Sequence, residues 1–128
     1  MSKIIIKSTN APEPIGPYSQ AVLSGNMLFV SGQVALNSAT GQMENADITS
    51  ETTQVMKNLS AILSQAGFEF NDVVKSTIFL KDLNNFNTVN ELYGDYFKLN
   101  PPARETVEVS RLPRDAKVEI SVIAIKTN

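Results

Sequence analysis

The residue types best suited to chemistry cluster late in the chain, in Pro101-Pro102-Ala103-Arg104-Glu105-Thr106-Val107-Glu108-Val109. An arginine presents a planar fork of donors that can grip a carboxylate through two parallel hydrogen bonds. The two prolines end any preceding helix, because proline lacks an N–H and disfavours helical backbone in the residue before it. A strand opening at this point sends Arg104, Thr106 and Glu108 to one face and Glu105, Val107 and Val109 to the other. The stretch therefore reads as an anion clamp at a strand mouth, or as a solvated strand end, the commoner fate of charged strand residues.

Two other positions carry the same kind of ambiguity. Ser31-Gly32-Gln33 interrupts an apolar run with a residue that has no side chain, which marks either a bulge or a place where a ligand or another chain can approach the backbone. Asn90 falls four residues after Phe86 and three before Tyr93, within the apolar stripe of a helix. An amide buried there needs partners, supplied either by a loop tied to the helix or by a polar pocket.

Composition narrows the chemistry. The 128 residues include no histidine and no cysteine, which excludes disulfides, thiolate nucleophiles and thiolate metal sites. Proton transfer near neutral pH is left to a carboxylate of raised pKa, a tyrosine, a lysine, backbone or water. With 42% hydrophobic and 19% charged residues the chain fits one globular domain, residues 1–128. A net charge of −2 without a basic block gives no footprint for nucleic acid or an anionic membrane. The apolar run Ile4-Ile5-Ile6 is too short for a signal-peptide core or a membrane span, so an intracellular, cytoplasmic protein is expected.

The elements that must position these residues follow from periodicity. Ile4–Ile6 suggests a first strand, and the proline-rich segment from Thr9 to Pro17 an irregular loop that Tyr18 leaves. Ser19–Ser24 and Met27–Ser31 form a hairpin about Gly25-Asn26. Asn37–Gln42 reads as a surface loop. A helix capped by Asp47 carries Val55, Leu59, Ile62, Leu63 and Ala66 on one face and ends at Gly67. Val73–Leu80 is a strand apolar on both faces. A second helix is expected from Asn84 or Asn85 to about Lys98, with Gly94 inside it. Strands from Arg104 to Arg111 and from Lys117 to Lys126 flank the turn Leu112–Ala116. About six strands in one sheet with two helices make an α+β domain, and two helices cover only one face of such a sheet. Apolar residues on the other face then call for self-association, with pockets between subunits.

Taken in order, Ile15-Gly16-Pro17-Tyr18-Ser19-Gln20-Ala21, Ser31-Gly32-Gln33, Lys81-Asp82-Leu83, Pro102-Ala103-Arg104, Val107-Glu108-Val109, Arg111-Leu112-Pro113 and Val118-Glu119-Ile120 resemble the RidA (YjgF-type) family of enamine/imine deaminases over nearly the whole chain. The resemblance implies a chorismate-mutase-like α+β fold with a mixed sheet, a homotrimer with a central β-barrel, and active sites between subunits. It further implies hydrolysis of 2-imino acids such as 2-iminobutanoate and 2-iminopropanoate to 2-oxo acids and ammonia, with neither metal nor cofactor. Arg104 would hold the substrate carboxylate. Glu119 would hold the attacking water, and Tyr18, Asn90 and the backbone around Gly32 would line the pocket. Arg104 and Glu119 are expected on neighbouring strands.

Departures from the family pattern fall near these residues. Thr106 stands where many members carry cysteine, so a hydroxyl takes the thiol's place as a pocket wall or a hydrogen-bond donor. Glu105 stands where a small residue is usual, Ala35 where proline is common, and Ser121 where a second glutamate is frequent. A trimer that binds oxo acids without catalysis is the alternative reading. Ribonuclease activity, proposed for relatives, is disfavoured by the acidic balance and the missing histidine.

Overall fold

The computed structural model describes residues 2–127. Its elements run β1 (Ile4–Ile6), β2 (Ala21–Ser24), β3 (Met27–Gln33), α1 (Ile48–Gln65), β4 (Val73–Leu80), α2 (Phe86–Gly94), β5 (Ala103–Glu108) and β6 (Val118–Ile125). One six-stranded sheet has the order β1-β2-β3-β6-β4-β5, antiparallel throughout except for the β4–β5 pair. That parallel pair requires a crossover, which α2 provides. The fold is α+β with a mixed sheet, as expected.

Local chemistry sets the boundaries. Gly25, at a φ of 61°, turns the β2–β3 hairpin. The Asp47 carboxylate accepts from Ser50 N–H at 2.7 Å and caps α1. At the other end Gly67 has a φ of 79°, Phe68 N–H donates to Leu63 O at 2.8 Å and Gly67 N–H to Ser64 O at 3.0 Å. This pair of bonds is a Schellman closure. The buried core sits between α1 and the sheet and includes Val55, Leu59, Ile62, Leu28, Ile120 and Ala124. In β6 buried residues alternate with half-buried ones, so Val118, Ile120, Val122 and Ala124 face the helices.

Four expectations are corrected. The second helix stops at Gly94 rather than near Lys98, and its last residues turn through i to i+3 bonds from Tyr96 N–H to Tyr93 O and Phe97 N–H to Gly94 O. There Tyr96 and Phe97 pack on Phe70, with ring centroids 5.0 and 5.4 Å apart. This packing, together with the weak helix propensity of glycine, outweighs the periodic pattern. Strand β5 ends at Glu108 rather than Arg111, because its one partner β4 ends opposite it at Leu80. Strand β3 continues through Gln33, with a register shift between Val30 and Gln33 that makes Gly32 part of a bulge. Asn90 is exposed rather than buried, since α2 rests on the sheet through Val89 and Tyr93.

The face of the sheet away from the helices is open. One row runs across all six strands through Ile5, Val22, Phe29, Ile123, Lys75 and Ala103. Ile5 is 52% exposed, Phe29 42% and Val107, on the same face, 42%.

Candidate active site

Arg104 and Thr106 stand opposite Ser76 and Ile78 in the β4–β5 ladder and so project to the helix side of the sheet. There α2 meets them. Arg104 Nη1 donates to Asn90 Oδ1 at 2.6 Å, and the guanidinium carbon lies 5.1 Å from the Tyr93 ring centroid and 5.6 Å from that of Phe86. Two aromatic rings and an amide thus hold the guanidinium, by cation–π attraction and a hydrogen bond. Tyr93 is itself fixed by a bond from its hydroxyl to Ser76 Oγ at 2.8 Å. Burial pushes the Tyr93 phenol above its ordinary pKa, although the Ser76 bond and nearby Arg104 oppose this. The Thr106 hydroxyl is buried and has no hydrogen-bond partner among the described residues.

Glu119 points the other way. It pairs with Phe79 in the β6–β4 ladder, on the open face, and its half-buried carboxyl is pushed above the usual carboxylate range by burial. Its side chain lies against Gly32. A methyl group at that position would sit 2.7 Å from Glu119 Oε2 and 2.8 Å from Cδ. The bulge reading of Gly32 therefore holds, and the group seen close to its backbone is Glu119 of the same chain rather than a ligand or another chain.

Around Glu119 a small cleft of about 90 Å³, open to solvent, is bordered by Tyr18, Gly32, Glu13, Ile15 and Arg114. Tyr18 is exposed, and its hydroxyl accepts from Ile15 N–H at 3.4 Å. Arg114 and Asp115 both adopt left-handed backbone, with φ of 58° and 53°. Such conformations in bulky residues concentrate at functional sites. This turn is pinned by buried Leu112 and Ala116 and by the Arg111–Asp115 ion pair at 2.9 Å.

The predicted site residues thus fall into two groups on opposite faces of the sheet. Arg104, Thr106 and Asn90 belong to one; Glu119, Gly32 and Tyr18 belong to the other. The expected adjacency of the Arg104 and Glu119 strands is corrected, because β4 lies between β5 and β6 and the two side chains leave opposite faces. Glu105 is turned away from Arg104, as alternation required, and pairs with Lys75 at 3.0 Å. The sequence reading did not assign site roles to Phe86 and Tyr93, although their spacing with Asn90 places all three on one flank of α2. Nothing in the sequence announced the left-handed turn at Arg114.

Comparison with known proteins decides the family. Residues 8–126 match the family model described as Endoribonuclease L-PSP, the group that includes RidA and YjgF. The chain belongs to the RidA family. A RutC family protein of Pyrococcus horikoshii is 51% identical, with 97% of this chain and 98% of that protein aligned. The human 2-iminobutanoate/2-iminopropanoate deaminase is 44% identical over 95% of this chain and 89% of its own. Among solved structures, E. coli TdcF with bound serine superposes with a TM-score of 0.91 at 40% identity, covering 97% of this chain and 99% of that one. Among the described residues, no helix of this RidA-family chain is long and apolar enough to cross a membrane.

Proposed function

We propose that this chain is a cytoplasmic, cofactor-independent 2-iminobutanoate/2-iminopropanoate deaminase, working as a homotrimer whose sites lie between subunits. The observation that carries the proposal is the division of the chemistry into two half-sites on opposite faces of one sheet. An anion clamp and a carboxylate so separated act on one small molecule when a second copy brings its other half. The open face supports association, since exposed Ile5, Phe29 and Val107 and half-buried Val22 and Ile123 give it a largely apolar surface that favours a protein cover. The serine bound by TdcF and the activity named for the human relative point to small 2-amino or 2-imino acids.

In this reading Arg104 binds the substrate carboxylate through its fork, while Asn90 and Thr106 offer an amide and a hydroxyl beside it. Tyr18 and the backbone at Gly32 bound the neighbouring subunit's share of the pocket. Glu119 takes a proton from water as the water oxygen bonds to C2 and the C=N π pair moves to nitrogen. Return of that proton to nitrogen gives the carbinolamine. Transfer of its hydroxyl proton to nitrogen and cleavage of the C–N bond then release ammonia and leave the 2-oxo acid. An imine is already electrophilic, so orienting it and a water within about 3 to 3.5 Å accounts for much of the required acceleration. The raised pKa of Glu119 makes it a better proton acceptor near neutral pH than an exposed carboxylate.

The test adds the protein to a threonine dehydratase reaction and follows 2-oxobutanoate release. Acceleration by the wild type and its loss in Arg104→Ala are expected. Unchanged acceleration in that variant would remove the carboxylate clamp. Binding of 2-oxobutanoate by calorimetry without any acceleration would instead favour the non-catalytic binding trimer.

A further inference from the structure

We infer that Gln20 is a positioning residue that sets the Tyr18 wall of the cleft against Glu119. Gln20 lies in the Gly16–Ala21 stretch but outside the strands, and it is 2% exposed. Its Oε1 accepts from Ser8 N–H at 2.6 Å. Its Nε2 faces three carbonyl oxygens, of Pro12 at 2.9 Å, Ser8 at 3.1 Å and Ala11 at 3.3 Å. One carboxamide therefore fastens the segment that leads from β1 to the cleft.

Beyond the packing of buried Ala11 in the core, that segment has few other polar ties. Its prolines supply no N–H, and it forms no strand. Among the described residues no side chain outside residues 8–18, apart from Gln20, bonds to the backbone of residues 8–17. The segment carries Glu13, Ile15 and Tyr18, which border the cleft opposite Glu119. The far anchor is rigid, because Gln20 O accepts from Ser31 N–H at 2.9 Å, next to Gly32 in β3. Gln20 thus bridges the two walls, backbone to one and side chain to the other. Burial of an amide whose donors and acceptor are all used makes Gln20 the main side-chain tie between the walls. Glutamate in its place offers the carbonyls no donor when ionised and one when protonated, whereas methionine offers none at any pH.

The inference rests on the reading of this cleft as part of the deaminase site, and the experiment separates the two. Steady-state kinetics of imine hydrolysis are measured for wild type, Gln20→Glu and Gln20→Met between pH 5.5 and 8.5. Both variants are expected to raise KM about tenfold with kcat within about twofold, as for a displaced binding wall. The defect of Gln20→Glu should shrink as pH falls and its carboxyl gains a proton, while that of Gln20→Met stays constant relative to wild type. A fall in kcat at unchanged KM, or the same pH dependence in both variants, would overturn the assignment. Amide hydrogen exchange of Gln20→Met supplies a readout that needs no activity. Exchange about tenfold or more faster over residues 8–18, with α1 and β4 unchanged, supports the positioning role even in a protein that hydrolyses no imine. An unchanged loop, or faster exchange spread through α1 and β4, overturns it.

Discussion

At Arg104 the geometry distinguishes charge from shape. Lysine there keeps the cation but loses both the bidentate fork and the flat surface that rests on Tyr93 and Phe86. Arg104→Lys is expected to lower kcat/KM about tenfold and Arg104→Ala about 10²-fold, measured by coupled imine hydrolysis, since hydrogen bonds to a charged group contribute about 1.5–3 kcal/mol. Glu119 gives a prediction in pH. Its carboxyl is pushed up by burial, so the folded chain holds this proton more tightly than the unfolded one. Its contribution to stability is then fully present below the ordinary carboxylate pKa and is lost as pH rises through the raised folded value. Glu119→Gln is accordingly expected to have the higher melting midpoint at pH 7, the gap closing toward pH 4, and to lose imine hydrolysis. A melting midpoint below that of wild type at pH 7 would contradict the burial argument. In the wild type kcat/KM should fall as pH is lowered through the Glu119 pKa, because in the proposed mechanism the ionised carboxylate is the proton acceptor.

At the scale of elements, the bulge in β3 and the start of β6 matter most. Gly32→Ala introduces a methyl group 2.7 Å from Glu119 Oε2 and must push the carboxylate outward. Since it removes no buried contact, the fold should persist by circular dichroism. The acid limb of the pH–rate profile should move to lower pH, because a more solvated carboxyl returns toward its ordinary pKa. The start of β6 is held by Glu51, which is fully buried in the first turn of α1 and accepts from Lys117 N–H at 2.6 Å. Removing it leaves that N–H without its partner and a void beside the core. Glu51→Ala should therefore lower unfolding free energy by about 2–3 kcal/mol in urea titrations.

At the scale of the molecule the two proposed half-sites make association testable through activity. Arg104→Ala and Glu119→Gln damage different halves, so each is expected to be inactive alone. Subunits of the two variants mixed after dissociation should regain activity in roughly a quarter of the sites, by random pairing of one intact half with another. No recovery in verified mixed oligomers would refute a site shared between copies. Phe29→Glu places a charge in the apolar row of the open face, and sedimentation should then find monomers that retain secondary structure and have lost deamination.

Much of this protein was legible in its sequence because periodicity encodes which face of an element is apolar. The Ile4–Ile6 and Val73–Leu80 strands, the Asp47 cap, the Gly67 closure and the alternation in β6 follow from local chemistry that tertiary context did not override. The same alternation separated Arg104 from Glu105. Sequence could not give strand order, which depends on which hydrophobic surfaces meet in three dimensions, so the placement of β4 between β5 and β6 was out of reach. Nor could it show that Asn90 turns to Arg104 at an exposed edge, that Gly32 makes room for Glu119, or that Gln20 gathers a proline-rich loop. Each of these depends on contact between side chain and backbone across different elements. Residue types suggested the chemistry, and only the sheet determined that Arg104 and Glu119 leave opposite faces of one chain.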